Sequence, residues 1–236
     1  MKKIEIKEFG GPEVLEIKNV DIGKPDQNEV LVKNLSIGIN YIDTYHRSGL
    51  YPIPLPSGIG LEACSIIEEV GSEVKLFKVG DRVTRASMPI GTYSEKQIIP
   101  EDKLVKVPDN ISDEVASCIT LKGITAEYLL HRTYQVKKGD KILYHAAAGA
   151  LGQIFCPWAN ALGAEIIGTV GSDEKIEIAK KNGCHHVINY NEKNFVEEVE
   201  KIVGKNGLDV VYDGVGAKTF EGSIEVLKVR GMMVAF

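Results

Sequence analysis

Residues 139–152 read GDKILYHAAAGALG, an apolar strand-like run that leads into a turn of small residues. The turn follows the G-x-G-x-x-G pattern with alanine in the first position. Gly149 would let the backbone approach a pyrophosphate, and Gly152 would let the next helix pack closely on the strand. The pattern therefore predicts dinucleotide binding, although many strand-to-helix turns need glycine merely to turn. The predicted contacts in this turn are Ala147, Gly149, Ala150, Leu151 and Gly152.

Strand-like and helical runs alternate from Gly139 to the last residue, in the order β-α-β-α-β-α-β-α-β. Parallel strands need crossovers, so this order predicts an α/β fold with a doubly wound parallel sheet. The predicted strands are Lys141–His145, Glu165–Val170, His186–Asn189, Leu208–Tyr212 and Met232–Phe236, and the helix before the last strand is predicted at Thr219–Leu227. The glycines at 214 and 216 follow the fourth strand, where they either border a nicotinamide or only make the turn.

The first part of the chain, up to about Pro108, has short β-like runs separated by glycine and proline. Such runs at close spacing predict a compact, barrel-like β domain. They are Lys3–Lys7, Val14–Asn19, Glu29–Ser36, Ala63–Val70, Asp81–Thr84 and Thr92–Ile99. A helix that Ser112 can cap follows this region. We therefore predict a β domain over residues 1–122 and a nucleotide-binding domain over residues 123–236.

Composition limits the classes of protein that the chain can be. Lys and Arg number 28 against 33 Asp and Glu, a net charge of −5, which is the wrong overall sign for a nucleic-acid binder. The 4 cysteines form no C-x-x-C pair and no zinc-ligand spacing, so we expect reduced thiols. Neither an export signal nor an apolar run long enough for a membrane occurs, which predicts a cytoplasmic protein.

The second predicted strand is followed by Gly171, at the place where NAD-binding sheets carry an acidic residue. Ser172 could hydrogen-bond a 2′-phosphate there and Lys175 could neutralise it, which favours NADPH over NADH. An alternative is that Ser172 only caps the next helix. Asp173 and Glu174 suit the first turn of such a helix, and their charge opposes a phosphate.

Stretches in order along the whole chain carry a likeness to a known family. They are FGGPEVLE (9–16), GINYIDTYHRSGLYP (38–52), GDRV (80–83), LKGITAEYLL (121–130), GDKILYHAAAGALG (139–152), ALGAEIIGTVGSDEK (161–175), INY (188–190) and YDGVG (212–216). With them the chain resembles the NADPH-dependent quinone oxidoreductases, the zeta-crystallin branch of the medium-chain dehydrogenases/reductases. The resemblance implies a GroES-like β-barrel domain followed by a Rossmann domain, with NADPH and substrate meeting in the cleft between them.

The resemblance further implies metal-free hydride transfer from NADPH to a quinone-like small molecule. Zinc-dependent relatives need a cysteine and a histidine where this sequence has Asn40 and Leu61, which cannot replace those ligands. The catalytic side chains implied are Asn40, Tyr45 and Tyr51, with Arg47 near the mouth of the site. A tyrosine ring packs on a planar quinone while its hydroxyl donates a hydrogen bond.

Further cofactor contacts also come from the resemblance. Asn40 and Thr125 match positions beside the nicotinamide, and Tyr190 matches one beside the 2′-phosphate. Outside the glycine turn, the predicted contacts are Asn40, Thr125, Gly171, Ser172, Lys175, Tyr190, Val215 and Phe236. One departure from the family pattern is Pro157, because proline inside a helix removes a hydrogen bond and costs about 3 kcal/mol.

Family members continue beyond the position of Phe236, so we expect the Rossmann sheet to be incomplete at its C-terminal end. Met232–Phe236 would then be an apolar edge strand without a charge to block pairing, which predicts aggregation, impaired turnover and no native-like homodimer. Two other functions stay open. One is an enoyl or alkenal reductase of the same superfamily, and the other is a non-catalytic remnant that binds NADPH or RNA.

Overall fold

The computed structural model describes residues 1–236, which divide into two compact units, residues 1–121 and 122–236. We call them unit 1 and unit 2. The division falls close to the one predicted after residue 122. None of the helices combines the length and the apolar character that crossing a bilayer requires.

Unit 1 consists mainly of antiparallel strands. They are β1 (Lys2–Ile6), β2 (Glu16–Asn19), β3 (Glu29–Gly38), β4 (Ser57–Gly58), β5 (Glu62–Val70), β6 (Arg82–Ala86), β7 (Lys96–Pro100) and β8 (Val105–Lys106). They form two sheets, of order β2-β1-β4 and β7-β3-β5-β6-β8. Their apolar side chains form a core of Val30, Val32, Ile67, Val83, Ile99 and Leu104. The predicted β domain is confirmed.

Parts of unit 1 differ from the sequence-based expectation, among them the short strands β4 and β8, which were not predicted. The strand predicted from Thr92 begins only at Lys96, because the Tyr93 amide bonds to the carbonyl of Ile59 in a loop. The sequence analysis also missed a helix, α1 (Tyr41–Ser48), whose N-cap residue is Asn40. The backbone N–H of Asn40 donates to Asp43 Oδ2 over 2.9 Å, and that bond closes the first turn of the helix.

Helix α2 (Asp113–Tyr128) and a π-helical turn at Leu129–Thr133 lead into unit 2. Its elements are β9 (Lys141–Tyr144), α3 (Gly152–Ala161), β10 (Glu165–Val170), α4 (Ile176–Lys181), β11 (His186–Asn189), α5 (Phe195–Val203), β12 (Leu208–Asp213), α6 (Phe220–Glu225) and β13 (Leu227–Ala235). All strands are parallel and stand in the order β11-β10-β9-β12-β13. This arrangement confirms the predicted doubly wound sheet.

Side chains alternate between the two faces of this sheet. Ile142 and Tyr144 point into a cluster with Phe155 of α3, whereas Leu143 between them packs with Val199 of α5. Successive strand residues face opposite sides, so a strand that is apolar throughout needs helices on both. The continuous apolar run of β9 is explained by this double cover.

The last strand differs from its predicted bounds. It begins at Leu227, which pairs with Leu208, and not at Met232. The pairing shifts between these residues and Val210, and Arg230 there has a φ of 68°. The run Met232–Phe236 carries no charge, as predicted, but the strand also includes a first half that carries Lys228 and Arg230.

Candidate functional site

The carboxyl ends of the parallel strands bring most of the predicted cofactor residues to one edge of the sheet in unit 2, which we call the carboxyl edge. Gly171 to Lys175 follow β10, Tyr190 follows β11, Val215 follows β12 and Phe236 follows β13. The glycine turn follows β9. Ligands of doubly wound sheets bind at this edge. Two predicted contacts lie elsewhere: Thr125 is half-buried on α2, and Asn40 belongs to unit 1.

The turn between β9 and α3 presents backbone N–H groups. The amide of Gly149 is used within the turn, where it donates to the carbonyl of Ala146 over 2.8 Å. The amides of Ala150, Leu151 and Gly152 at the start of α3 donate to no protein acceptor. Unpaired amides at a helix N-terminus are suited to a phosphate. The chemistry of this turn therefore fits the pyrophosphate of a dinucleotide.

Gly152 has the packing role that the sequence analysis gave it. A Cβ at this position would lie 2.4 Å from the carbonyl oxygen of Ala147, which is closer than a methyl group can approach. Ala147 itself is fully buried, and its amide bonds to Thr169 of β10 over 3.0 Å. Only glycine lets α3 begin this close to the strand.

The turn after β10 is suited to a phosphate rather than to a free ribose hydroxyl. A Cβ at Gly171 would come within 3.1 Å of the Tyr190 hydroxyl, so an acidic side chain there would have to displace the Tyr190 ring. Ser172 precedes the 3₁₀ turn that leads into α4 but makes no side-chain capping bond, which argues against the capping alternative. The carboxylate of Asp173 accepts from Asn189 Nδ2 over 2.8 Å. Lys175 is exposed beside them.

Asp213 organises the turn after β12. Its Oδ1 accepts the N–H groups of Val215 at 2.9 Å and Gly216 at 3.0 Å, and the Thr219 hydroxyl at 2.9 Å. Burial raises the pKa of Asp213, but the hydrogen bonds from Gly216, Thr219 and Val215 outweigh burial and hold that pKa below its ordinary value. Gly216 has a φ of 87°, so this glycine is needed to make the turn.

Phe236 lies against the same turn. Its amide bonds to the carbonyl of Asp213, and its ring would be 3.1 Å from a Cβ at Gly214. The structure thus joins two predicted contacts, Val215 and Phe236, at neighbouring strand ends. Sequence reasoning missed Asp213 as the group that holds them, although a carboxylate directly before Gly-Val-Gly was the available signal.

Unit 1 gathers the predicted catalytic tyrosines around α1. The ring centroids of Tyr45 and Tyr51 are 5.3 Å apart in an edge-to-face contact, and those of Tyr41 and Tyr45 are also 5.3 Å apart. Tyr51 is 50% exposed. Aromatic rings with exposed hydroxyl groups can pack on a flat ligand and donate to it. Tyr41 belongs to this aromatic cluster although the sequence analysis did not single it out.

Asn40 and Arg47 have structural partners in the same unit. Asn40 is buried, and its Nδ2 donates to Glu62 Oε2 over 2.9 Å. Arg47 Nε donates to the carbonyl of Gly10 over 3.2 Å. Leu61, which directly precedes Glu62, is buried and has no atom that could bind a metal ion. Asn40 is therefore fixed by a carboxylate within unit 1, and its predicted contact with the nicotinamide stays a prediction.

Helix α1 also buries ionisable groups that sequence reasoning missed. The Tyr93 hydroxyl donates to Asp43 Oδ2 over 2.8 Å, and burial together with this bond raises the pKa of Tyr93. Asp43 Oδ1 and His46 Nδ1 are buried without a hydrogen-bond partner. The i, i+3 spacing of Asp43 and His46 puts both on one helix face, a pattern that apolar periodicity does not reveal.

The comparisons with known proteins agree with this architecture. Residues 26–109 match the family described as "Alcohol dehydrogenase GroES-like domain", and residues 150–236 match the one described as "Zinc-binding dehydrogenase". A quinone oxidoreductase of Pseudomonas aeruginosa is 48% identical over 236 residues, which cover 100% of this chain and 73% of that protein. A 2-haloacrylate reductase of a Burkholderia species is 47% identical over 96% of this chain and 70% of its own length.

A solved structure gives the same result. The Escherichia coli quinone oxidoreductase complexed with NADPH superposes with a TM-score of 0.97 at 49% identity, covering 100% of this chain and 73% of that one. A GroES-like unit followed by a five-strand parallel sheet defines a medium-chain dehydrogenase/reductase. Within that class, the chain belongs to the quinone oxidoreductase family.

Zinc, which one family description names, does not fit the residues of this chain. The side-chain amide of Asn40 donates a hydrogen bond to Glu62, and Leu61 has no atom that can bind a metal ion. The structure brings together no group of three or more His, Cys, Asp or Glu side chains that could hold a metal ion. The donor set that zinc needs is therefore not assembled at these positions.

Proposed function

We propose that the protein is an NADPH-dependent quinone oxidoreductase that acts without a metal on a quinone-like small molecule. The observation that carries the proposal is the row of unpaired backbone amides at Ala150–Gly152, at the carboxyl edge. This row follows β9, and β9 lies between β10, whose turn suits the 2′-phosphate, and β12, whose turn suits the nicotinamide half. NADPH would supply the hydride. Every further step depends on side chains that bind and orient the two reactants.

The strand order supports a direction for the cofactor. The turn after β9 suits the pyrophosphate, and Ser172, Lys175 and Tyr190 after β10 and β11 suit the 2′-phosphate. The nicotinamide half then extends the other way, over β12 and β13, where Val215 and Phe236 lie. This orientation uses all the predicted contacts at the carboxyl edge.

Reduction of a quinone builds negative charge on an oxygen, and a hydroxyl donor stabilises that charge. Tyr45 and Tyr51 are the donors we propose, since their rings contact each other and Tyr51 is half exposed. Asn40 is held by Glu62, which fixes its amide group. We assign Arg47 no part in the reaction, because its side chain is bonded to Gly10.

A reductase of electron-poor alkenes is the second function we consider. The 47% identity to a protein named 2-haloacrylate reductase favours it. The same hydride geometry serves a carbon–carbon double bond and a quinone, so the acceptor must be found by assay. We also propose a cytoplasmic location, which the four free cysteines support because such thiols persist in a reducing compartment.

A titration followed by nicotinamide fluorescence tests the cofactor. We expect NADPH to bind about tenfold or more tightly than NADH, since only NADPH offers a phosphate to Lys175 and Ser172. Lys175→Ala should weaken NADPH about tenfold and leave NADH nearly unchanged. Lys180→Ala is the matched control, because Lys180 is already paired with Glu177. Equal losses for the two nucleotides would refute the assignment.

Turnover assays with 1,4-benzoquinone and with 2-chloroacrylate then separate the two acceptors. We expect NADPH oxidation by the quinone, and we expect Tyr51→Phe to slow it about tenfold. Ile17→Ala, an exposed position on β2, should leave the rate unchanged. Oxidation by chloroacrylate alone would replace the quinone proposal by the alkene one.

A further inference from the structure

Four buried polar side chains from four elements of unit 2 form one hydrogen-bonded chain. His145 follows β9, Thr169 lies in β10, Asp213 ends β12 and Ser223 lies on α6. His145 Nδ1 is 2.9 Å from Thr169 Oγ1, and His145 Nε2 is 2.9 Å from Ser223 Oγ. Ser223 Oγ is 3.0 Å from Asp213 Oδ2. None of the four side chains is used by the proposed reaction.

The chemistry of the groups sets the direction of every bond in this chain. An ionised carboxylate only accepts, so Ser223 donates its single proton to Asp213. The Ser223 oxygen must then accept from His145, which places a proton on Nε2. Burial lowers the pKa of His145 to about 4, so the imidazole is neutral at pH 7. Nδ1 is then the acceptor for the Thr169 hydroxyl, and the ring has a single defined tautomer.

A serine, a histidine and an aspartate in one chain of bonds invite comparison with a nucleophilic triad, but the order His145–Ser223–Asp213 and the bond directions exclude it. In a triad the serine donates to the histidine. Here Ser223 donates to Asp213, and its side chain is fully buried. We therefore take these hydrogen bonds to position neighbouring backbone and not to activate Ser223 as a nucleophile.

Two members of this chain, Asp213 and His145, adjoin turns at the carboxyl edge. The Asp213 carboxylate holds the amides of Val215 and Gly216, the turn proposed for the nicotinamide half. His145 directly precedes Ala146, whose φ of 58° is uncommon for a residue with a side chain and needs support from its neighbours. Ala146 opens the turn proposed for the pyrophosphate.

We propose that His145 is a positioning residue that couples the turn after β9 to the turn after β12 through Ser223 and Asp213, and thereby orients the nicotinamide half of NADPH. The proposal rests on the proposed function, because it assumes that NADPH binds at the carboxyl edge. In the proposed orientation the adenosine half extends over β10 and β11, so we expect substitutions at His145 to leave the affinity for that half nearly unchanged.

Two substitutions at His145 test its two hydrogen bonds separately. His145→Asn keeps an acceptor near Nδ1 but is too short to reach Ser223, whereas His145→Gln keeps a donor near Nε2. Ser223→Ala breaks the same link from the other side. His186→Gln is the matched control, because His186 lies at the start of β11, away from the carboxyl edge.

The probes are NADPH and adenosine 2′,5′-bisphosphate, which lacks the nicotinamide. For His145→Asn and Ser223→Ala we expect NADPH to bind about tenfold more weakly with a smaller gain in nicotinamide fluorescence, and the bisphosphate to bind within about twofold of the parent protein. His145→Gln should lose less than His145→Asn. With quinone present, kcat should fall more than the KM for NADPH rises.

The outcomes separate this inference from the proposed function. If the parent protein binds neither probe, the proposed function fails and the inference fails with it. If the parent protein binds both probes and His145→Asn and Ser223→Ala behave like His186→Gln, only the inference is overturned. Equal weakening of both probes would assign His145 a general structural role and also overturn it.

Discussion

Two buried carboxylates, Asp213 in unit 2 and Asp43 in unit 1, differ in how much of their hydrogen-bonding capacity the protein uses. Both oxygens of Asp213 are bonded, to the amides of Val215 and Gly216 and to two hydroxyl groups. Asp43 accepts at Oδ2 only, and its Oδ1 is buried without a partner. A satisfied buried network is rigid, whereas an unsatisfied buried atom carries a desolvation cost.

This difference agrees with the roles proposed for the two units. The carboxyl edge of unit 2 is proposed to bind NADPH, and a turn already fixed by hydrogen bonds lowers the cost of ordering the site on binding. The α1 region of unit 1 is proposed to bind the molecule that accepts the hydride. It combines exposed tyrosine rings with two buried atoms that have no hydrogen-bond partner, Asp43 Oδ1 and His46 Nδ1. The contrast can be tested by removing the bonds in each region.

The largest effect is expected from Asp213→Ala, which leaves two amides and two hydroxyl groups without their acceptor. We expect the free energy of unfolding to fall by about 3–5 kcal/mol. Asp43→Ala should cost only about 1–2 kcal/mol, because one of its oxygens has no bond to lose. Urea unfolding at pH 7 measures both, and equal losses would break the comparison.

The next largest effect concerns pH. Burial lowers the pKa of His145 to about 4, against an opposing effect of the Asp213 charge. A histidine with a lowered pKa is protonated more easily in the unfolded chain, so stability is complete above pH 6.5 and is lost as the pH falls toward 4. The loss at the lower end should be about 3 kcal/mol.

His145→Gln has no titrating group at this position, so its unfolding free energy should change less over the same pH range. His186→Gln should follow the parent protein, because His186 is half exposed at the start of β11. Parallel stability curves for all three proteins would contradict a buried neutral imidazole at His145.

A smaller effect separates two tyrosines of unit 1. Tyr93→Phe removes the donor to Asp43 Oδ2 and should lower the unfolding free energy by about 1 kcal/mol. Tyr51→Phe should change stability by less than about 0.5 kcal/mol, since its side chain is half exposed. For turnover we expect the opposite: Tyr51→Phe should slow the reaction more than Tyr93→Phe does. A Tyr51→Phe protein that is destabilised but fully active would remove Tyr51 from the proposed site.

The smallest effect is a gain in stability from Pro157→Gln. Pro157 lies inside α3, so its nitrogen cannot donate to the carbonyl of Gln153. Restoring this N–H should raise the unfolding free energy by about 0.5–1 kcal/mol and leave NADPH affinity within about twofold. A gain in stability that also changes NADPH affinity would show that the carboxyl edge depends on the geometry of α3.

The element order and the glycine turn were predictable because they depend on local patterns. The apolar run of β9 followed by small residues identifies a strand, a turn and a helix, and the alternation of such units identifies a parallel sheet. The predicted cofactor residues after β10, β11 and β12 do lie at one edge, because parallel strands end on the same side. The contacts of these residues with NADPH remain a prediction.

Helix α1 and β13 show where local patterns failed. Helix α1 has few apolar residues, and its start depends on a bond between Asn40 and Asp43 rather than on periodicity. The first half of β13 carries charges and a residue at positive φ, which do not suggest a strand. Its pairing with β12 decides its length.

The sequence by itself determined the order of the elements, the place of the glycine turn and the lack of a carboxylate at Gly171, because these follow from residue type and spacing along the chain. Only the tertiary structure decided that His145, Thr169, Asp213 and Ser223 form one chain of bonds. The reason is physical. These residues lie far apart in the sequence, and only burial in a common core makes their hydrogen bonds obligatory.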